Sequence, residues 1–118
     1  KVLLQWNCRG LFSNTDDIHS IIEHFKPISL CLQETHLNTQ PVNSFKQYNV
    51  VRKDRLCTGK PSGGVAILSH KTLPYTKIAL QTNLEAVAIR ISLDRLLTVC
   101  SLYISPSCTV TQTDIHNL

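Results

Sequence analysis

Apolar residues in this 118-residue chain fall in short runs separated by polar punctuation. Lys1 to Asn7 opens with Val2-Leu3-Leu4 and continues through Gln5-Trp6, a run that predicts a buried strand. Arg9-Gly10-Leu11 breaks it. The period then changes: Ile18, Ile21, Ile22 and Phe25 recur at i, i+3, i+4 and i+7, which puts four apolar side chains on one helix face between Asn14 and Phe25. Asn14 or Thr15 can cap this helix, Asp16 and Asp17 complement the positive end of its dipole, and Pro27 forbids its continuation. Ile28 to Gln33 is a second apolar run and predicts a strand covered on both faces. Strand, helix, strand over about thirty residues is a βαβ unit, so the two strands should be parallel with a right-handed crossover.

Beyond Glu34 the pattern is different. Residues 37–47 are polar, contain Pro41 and read as a surface loop. Tyr48 to Arg52, Gly64 to Ser69, Glu85 to Ile91 and Leu97 to Tyr103 follow as short strands. Ser92-Leu93-Asp94-Arg95 separates the last two by a turn-length link, which predicts an antiparallel hairpin. A βαβ opening followed by an antiparallel meander predicts a mixed α/β sheet. With no GxGxxG after the first strand, a doubly wound nucleotide-cofactor fold is not expected.

Composition narrows the class. With 42% apolar, 17% charged and 6% aromatic residues, the chain suits one globular domain rather than a disordered segment. No apolar stretch approaches the roughly 18 residues of a membrane span, and no cleavable leader is visible, so neither a membrane nor secretion is expected. The chain contains no methionine, which predicts that Lys1 is internal to a longer product. Thr111 and Asp114 have the spacing of a capping box, yet only four residues follow Asp114, which predicts a segment cut at both ends. The net charge of +4 permits a nucleic-acid partner without requiring one. The five cysteines include no CxxC pair, so neither a disulfide framework nor a zinc site is suggested. Cys8, Cys31 and Cys100 lie in or beside apolar runs and read as reduced core residues of an intracellular protein.

Parallel strands of a βαβ unit end on the same side, where ligands usually bind. Asn7 ends the first strand and Glu34 the second, bringing an amide and a carboxylate together from 27 residues apart. A strand-end carboxylate suits the hard oxygen ligation of Mg²⁺. On geometry alone the favoured reading is that the same two residues merely cap strand ends and face water. Arg52, Lys53, Arg55 and Lys60, interrupted by Asp54, form either a phosphate-gripping loop or a solvated basic turn. Trp6 reads as core rather than as a base-stacking platform. Glu85 begins a strand with no evident partner.

The motifs around Asn7 and Glu34 change that weighting. Gln5-Trp6-Asn7-Cys8-Arg9-Gly10-Leu11, followed by Cys31-Leu32-Gln33-Glu34-Thr35-His36-Leu37, resembles the opening of the endonuclease/exonuclease/phosphatase superfamily, in particular the AP-endonuclease-like domain of non-LTR (LINE- or jockey-type) retrotransposons. Gly63-Gly64-Val65-Ala66-Ile67-Leu68 resembles that family's glycine-rich core strand, and Leu102-Tyr103-Ile104-Ser105-Pro106 its Tyr-x-x-Pro strand end. The resemblance implies the N-terminal half of a four-layer α/β sandwich of the DNase I-like type, filling residues 1–118 with no second domain. It implies that Asn7 helps hold the metal and attacking water, that Glu34 binds Mg²⁺ (or Mn²⁺), and that Tyr103 contacts the scissile phosphate. His36 is either a phosphate contact or a solvated loop residue. Arg9, Arg52, Lys53 and Arg55 are the nucleic-acid-binding candidates.

The family's Gly-Asp-Phe-Asn and Ser-Asp-His segments have no counterpart in the sequence. The resemblance therefore implies part of a Mg²⁺-dependent endonuclease that nicks DNA, in the nucleus, for target-primed reverse transcription. Its partners would be DNA, the second half of the nuclease domain and a reverse transcriptase of the same polyprotein. A chain lacking those segments should not cut DNA alone. The alternatives are a decayed, non-catalytic or merely DNA-binding remnant of a mobile element, and a superfamily phosphatase of inositol or sphingolipid type.

Overall fold

The computed structural model describes residues 1–56, 59–106 and 110–118; Cys57 and Cys108 lie outside the described residues. Two sheets pack face to face. The first contains β1 (Leu3–Asn7), β2 (Ser29–Gln33), β3 (Tyr48–Lys53) and β4 (Val65–His70) in the order β1-β2-β4-β3. The second contains β5 (Tyr75–Ile78), β6 (Glu85–Ser92) and β7 (Leu96–Tyr103), a sequential antiparallel meander. A helix, α1 (Thr15–Phe25), covers the outer face of the first sheet after a short 3-10 turn at Phe12–Asn14. Among the described residues this makes a layer of helix on two layers of sheet. A second, five-residue helix, α2 (Gln112–His116), begins at the Thr111–Asp114 capping box.

The βαβ unit forms as the apolar spacing predicts, with β1 and β2 parallel in the register Leu3↔Ser29 to Asn7↔Gln33. β4 pairs antiparallel with β2, and β3 with β4, so the sheet is mixed. β2 is buried at all five positions because each of its faces meets a core cluster. Leu30, Leu32, Ala66 and Leu68 face Leu11 and Ile18 on the helix side. Cys31, Val65, Ile67 and Val51 face Val87, Ile89, Ile91 and Val99 of the second sheet.

β1 departs from the buried strand its apolar run predicts. Its residues alternate between exposed and half-buried, with Leu3 at 45% exposure. β1 lies at the sheet edge, and β7 packs over β2 and β4. Leu4 and Trp6 therefore pack on the helix-side core while Leu3, Gln5 and Asn7 stay open. A run of apolar residues does not distinguish an edge strand from a central one. Phe25 is likewise exposed (49%), in edge-on contact with His24, so the helix buries Ile18 fully and Ile21 and Ile22 in part, and not all four predicted positions. Cys100 is exposed as well, because β7 alternates and turns Val99 and Ser101 inward. β5 is absent from the predicted elements; its Tyr-Thr-Lys-Ile sequence is almost wholly exposed and carries no apolar run.

The predicted side-chain cap is also replaced. Asn14 stands at the N-cap of α1 without capping it; its Nδ2 donates to Cys8 O (2.7 Å) and Gly10 O (3.0 Å) instead. The amide thereby fastens the turn after β1 to the start of the helix. No helix among the described residues is long and apolar enough to cross a membrane.

Burial pushes the Cys31 thiol up from an ordinary value of 9.0 to about 11, with the nearby Cys100 thiol adding to the effect. The fold accepts Cys31 as the neutral thiol, so its contribution is intact below pH 9.0 and is lost as pH rises toward about 11. About 2 kcal/mol of stability should disappear across that window. Denaturant melts of the chain and of Cys31→Ala at pH 8 and pH 11 check this: the parent should lose about that much more than the variant.

Candidate active site

One end of the sandwich collects the polar strand termini. Asn7 pairs with Gln33, so Asn7 and Glu34 emerge at adjacent parallel strand ends. β4 starts there, with Val65 opposite both Gln33 and Lys53, which brings Gly63-Gly64 and residues 53–55 to the same end. β6 begins and β7 ends there too, with Glu85 directly opposite Tyr103. The buried Gln33 Nε2 donates to Ser101 Oγ (3.0 Å), and Ser101 Oγ donates to Leu32 O (2.9 Å). These bonds tie the two sheets together just behind the site. Tyr103, two residues past Ser101 on the same face of β7, is half-buried. Asn7, Glu34, His36 and Tyr103 thus share one rim.

The chain leaves β2 in an unusual way. Glu34 (φ 52°) and His36 (φ 53°) are left-handed, as is Arg9 (φ 48°) on the facing turn. Each such non-glycine residue costs roughly 1–2 kcal/mol and persists only where its surroundings hold it. Backbone hydrogen bonds do so from both sides. Cys8 N donates to Gln33 O (3.0 Å), Gly10 N to Glu34 O (2.7 Å) and Leu11 N to Thr35 O (2.9 Å). On the other side Thr35 N donates to Gly64 O (3.2 Å) and His36 N to Gly63 O (2.8 Å). Residues 33–36 therefore extend the pairing of β2 past its end without remaining extended.

The Glu34 side chain is half-buried, and among the described residues nothing donates to its carboxylate. Burial raises the Cys8 thiol, and the Glu34 charge adds to that rise. Asn7 is exposed. The described residues contain no cluster of three or more His, Cys, Asp or Glu able to hold a metal. What they contain is a carboxylate and an amide oxygen on neighbouring strand ends. Both are hard donors of the kind Mg²⁺ takes one or two at a time while keeping water.

The basic candidates are placed differently. Arg9 is exposed on the turn after β1. Arg52 is bonded to Asp54 (2.8 Å), whose Oδ2 also accepts from Thr39 N (3.1 Å). Lys53 Nζ donates to Leu84 O (2.9 Å). Arg55 is ion-paired with Glu85 through both Nε and Nη2. Glu85, with no partner evident in the sequence, also accepts from Gly64 N through Oε1 (2.6 Å). Only the antiparallel registers bring residues 55, 64 and 85 together, and no local spacing signals it.

The chain matches the endonuclease/exonuclease/phosphatase family over residues 4–115 and belongs to it. Among solved structures it is similar to the endonuclease domain of TRAS1, a telomere-specific non-LTR retrotransposon (21% identity, TM-score 0.68), over 91% of this chain and 47% of that one. It is also similar to the 3'-5' exonuclease NExo of Neisseria meningitidis (19% identity, TM-score 0.60), over 85% of this chain and 40% of the other. An AP endonuclease from Archaeoglobus fulgidus gives 22% identity and a TM-score of 0.59 with the same two coverages, 85% and 40%. At these identities the likeness is one of fold. The chain spans about half the length, or less, of these structures. No curated protein sequence matches.

Gly64 has φ +90°, and a Cβ there would lie 2.5 Å from Thr35 Oγ1. Gly64→Ala is therefore expected to destabilise the chain by about 2 kcal/mol or more, through both strain and collision. Urea denaturation checks this. Adding Thr35→Ala removes the collision but not the strain, and should recover part of the loss.

Proposed function

We propose that this chain supplies the N-terminal part of a Mg²⁺-dependent DNA endonuclease, which nicks target DNA by phosphodiester hydrolysis so that a retrotransposon can prime reverse transcription. The observation that carries the reading is the shared rim of Asn7, Tyr103 and a Glu34 carboxylate without a partner among the described residues. The likeness in fold to a non-LTR retrotransposon endonuclease supports the choice of DNA as substrate.

In this reading Glu34 and Asn7 hold the divalent ion (Mg²⁺, or Mn²⁺ in its place). When bound, the ion stabilises charge on the scissile phosphate and the leaving 3′ oxygen. Asn7 orients through its amide, and the Tyr103 hydroxyl donates to a phosphate oxygen. His36 lies on the same rim as a further phosphate contact, and Arg9 is an exposed cation two residues past the end of β1. Lys53 and Arg55 approach DNA only if they leave the partners described above. The remaining acid–base groups come from a second half of the domain, and the reverse transcriptase from the same polyprotein, acting in the nucleus.

Glu34→Gln in the full-length polypeptide that carries these residues should keep the fold, since the amide matches the carboxylate in shape. A neutral amide is a much poorer ligand for a hard dication, so nicking should fall at least about a hundredfold. Supercoiled-plasmid nicking against Mg²⁺ concentration, with circular dichroism as the folding control, measures this. A folded variant that nicks at close to the parental rate overturns the proposal.

A further inference from the structure

The ion pair between Arg55 and Glu85 is built into the site rather than laid over it. Arg55 follows β3 and Glu85 opens β6, so the pair joins the two sheets at the end where Glu34 emerges. Both side chains are largely buried, at 33% and 18% exposure. Glu85 spends one carboxylate oxygen on the Arg55 guanidinium and the other on Gly64 N. The pair also lies against Gly63, where φ is +61° and a Cβ would stand 2.5 Å from the guanidinium and 2.6 Å from Glu85 Oε1. Only glycine admits this approach. The two glycine carbonyls are the acceptors for His36 N and Thr35 N. An unbroken chain of contacts thus runs from Arg55 through Glu85 and the Gly63-Gly64 backbone to the residues flanking Glu34.

We propose that Glu85 and Arg55 act as positioning residues, a clamp on Gly63-Gly64 that fixes where the Glu34 carboxylate is presented for divalent-metal binding. The left-handed backbone at Glu34 and His36 is the reason a clamp is needed. That conformation is intrinsically unfavourable, and two of the bonds that hold it end on Gly63 and Gly64. Glu85 also stands directly opposite Tyr103 in the β6–β7 register, so one residue is linked to Tyr103 by strand pairing and to the Glu34 segment through Gly64. The inference rests on the proposed role of Glu34 in metal binding, and its test is arranged to separate the two.

The test uses the full-length polypeptide with Glu85→Ala, Glu85→Gln and Arg55→Lys, and reads hydrogen exchange and Mn²⁺ titration. Loosening the clamp should speed exchange of the Thr35 and His36 amides at least about tenfold, while the β4 amides of Ile67 and Leu68 keep their protection. Mn²⁺ affinity should weaken by about tenfold, in the range typical of partners that orient a metal ligand. Nicking lost at low Mg²⁺ should return at high Mg²⁺, a recovery that Glu34→Gln cannot make. Glu85→Gln keeps an acceptor for Gly64 N and should fall between the parent and Glu85→Ala. If Glu85→Ala does not fold, Glu85→Gln and Arg55→Lys carry the same readings. Folded variants with unchanged Thr35 and His36 exchange and unchanged Mn²⁺ affinity overturn the clamp. If Glu34→Gln binds Mn²⁺ as the parent does, the metal reading fails, and faster Thr35 and His36 exchange in Glu85→Ala alone still establishes the mechanical link.

Discussion

The backbone of residues 33–36 is held from two directions at once. Amides of Cys8, Gly10 and Leu11 reach its carbonyls, and its own amides reach Gly63 and Gly64. Because those bonds are made, Glu34 and His36 can remain left-handed and turn away from the strand direction. The turn after β1, the start of α1 and the start of β4 are all ordered around this segment. Asn14 gives up its usual capping bond to brace the Cys8–Gly10 turn. The site is thus a property of strand ends cross-braced by backbone, and its side chains are free to face a ligand.

Much of this architecture is legible in the residues. The periodicity of Ile18, Ile21 and Ile22 marks the helix, and the five-residue run of β2 marks a strand buried on both faces. The turn at 92–95 marks the β6–β7 hairpin. Those signals are local, and local signals survive translation into structure. The open position of β1 is not local, since it depends on the strand order that puts β1 at the edge and on β7 packing over β2 and β4 instead. Neither is the exposure of Cys100, which follows from strand parity. β5 is invisible because an exposed four-residue strand needs no apolar residues to form once β6 offers it an edge.

The site divides along the same line. Asn7 and Glu34 can be placed together from strand topology alone, and the structure sets them at adjacent ends. The basic segment illustrates the opposite case. A cluster of cations in sequence suggests a field directed outward, yet Arg52, Lys53 and Arg55 each meet an acceptor within the fold. Glu85 could not be interpreted alone, because its partners, Arg55 and Gly64, come from the segment between two other strands. Charge read along a chain reports composition; only register reports which charges are already spoken for.

The open rim of β1 has a consequence of another kind. With β2 on one side and no partner strand on the other among the described residues, β1 presents a free row of amides and carbonyls beside Asn7. Such an edge is a template for any extended segment that reaches it. The geometry that keeps the Asn7 side chain accessible therefore also invites strand addition, and Leu3, exposed on the same face as Asn7, would make that addition adhesive. Concentrated solutions of these residues should be governed less by how well the core packs than by which strand first occupies that edge.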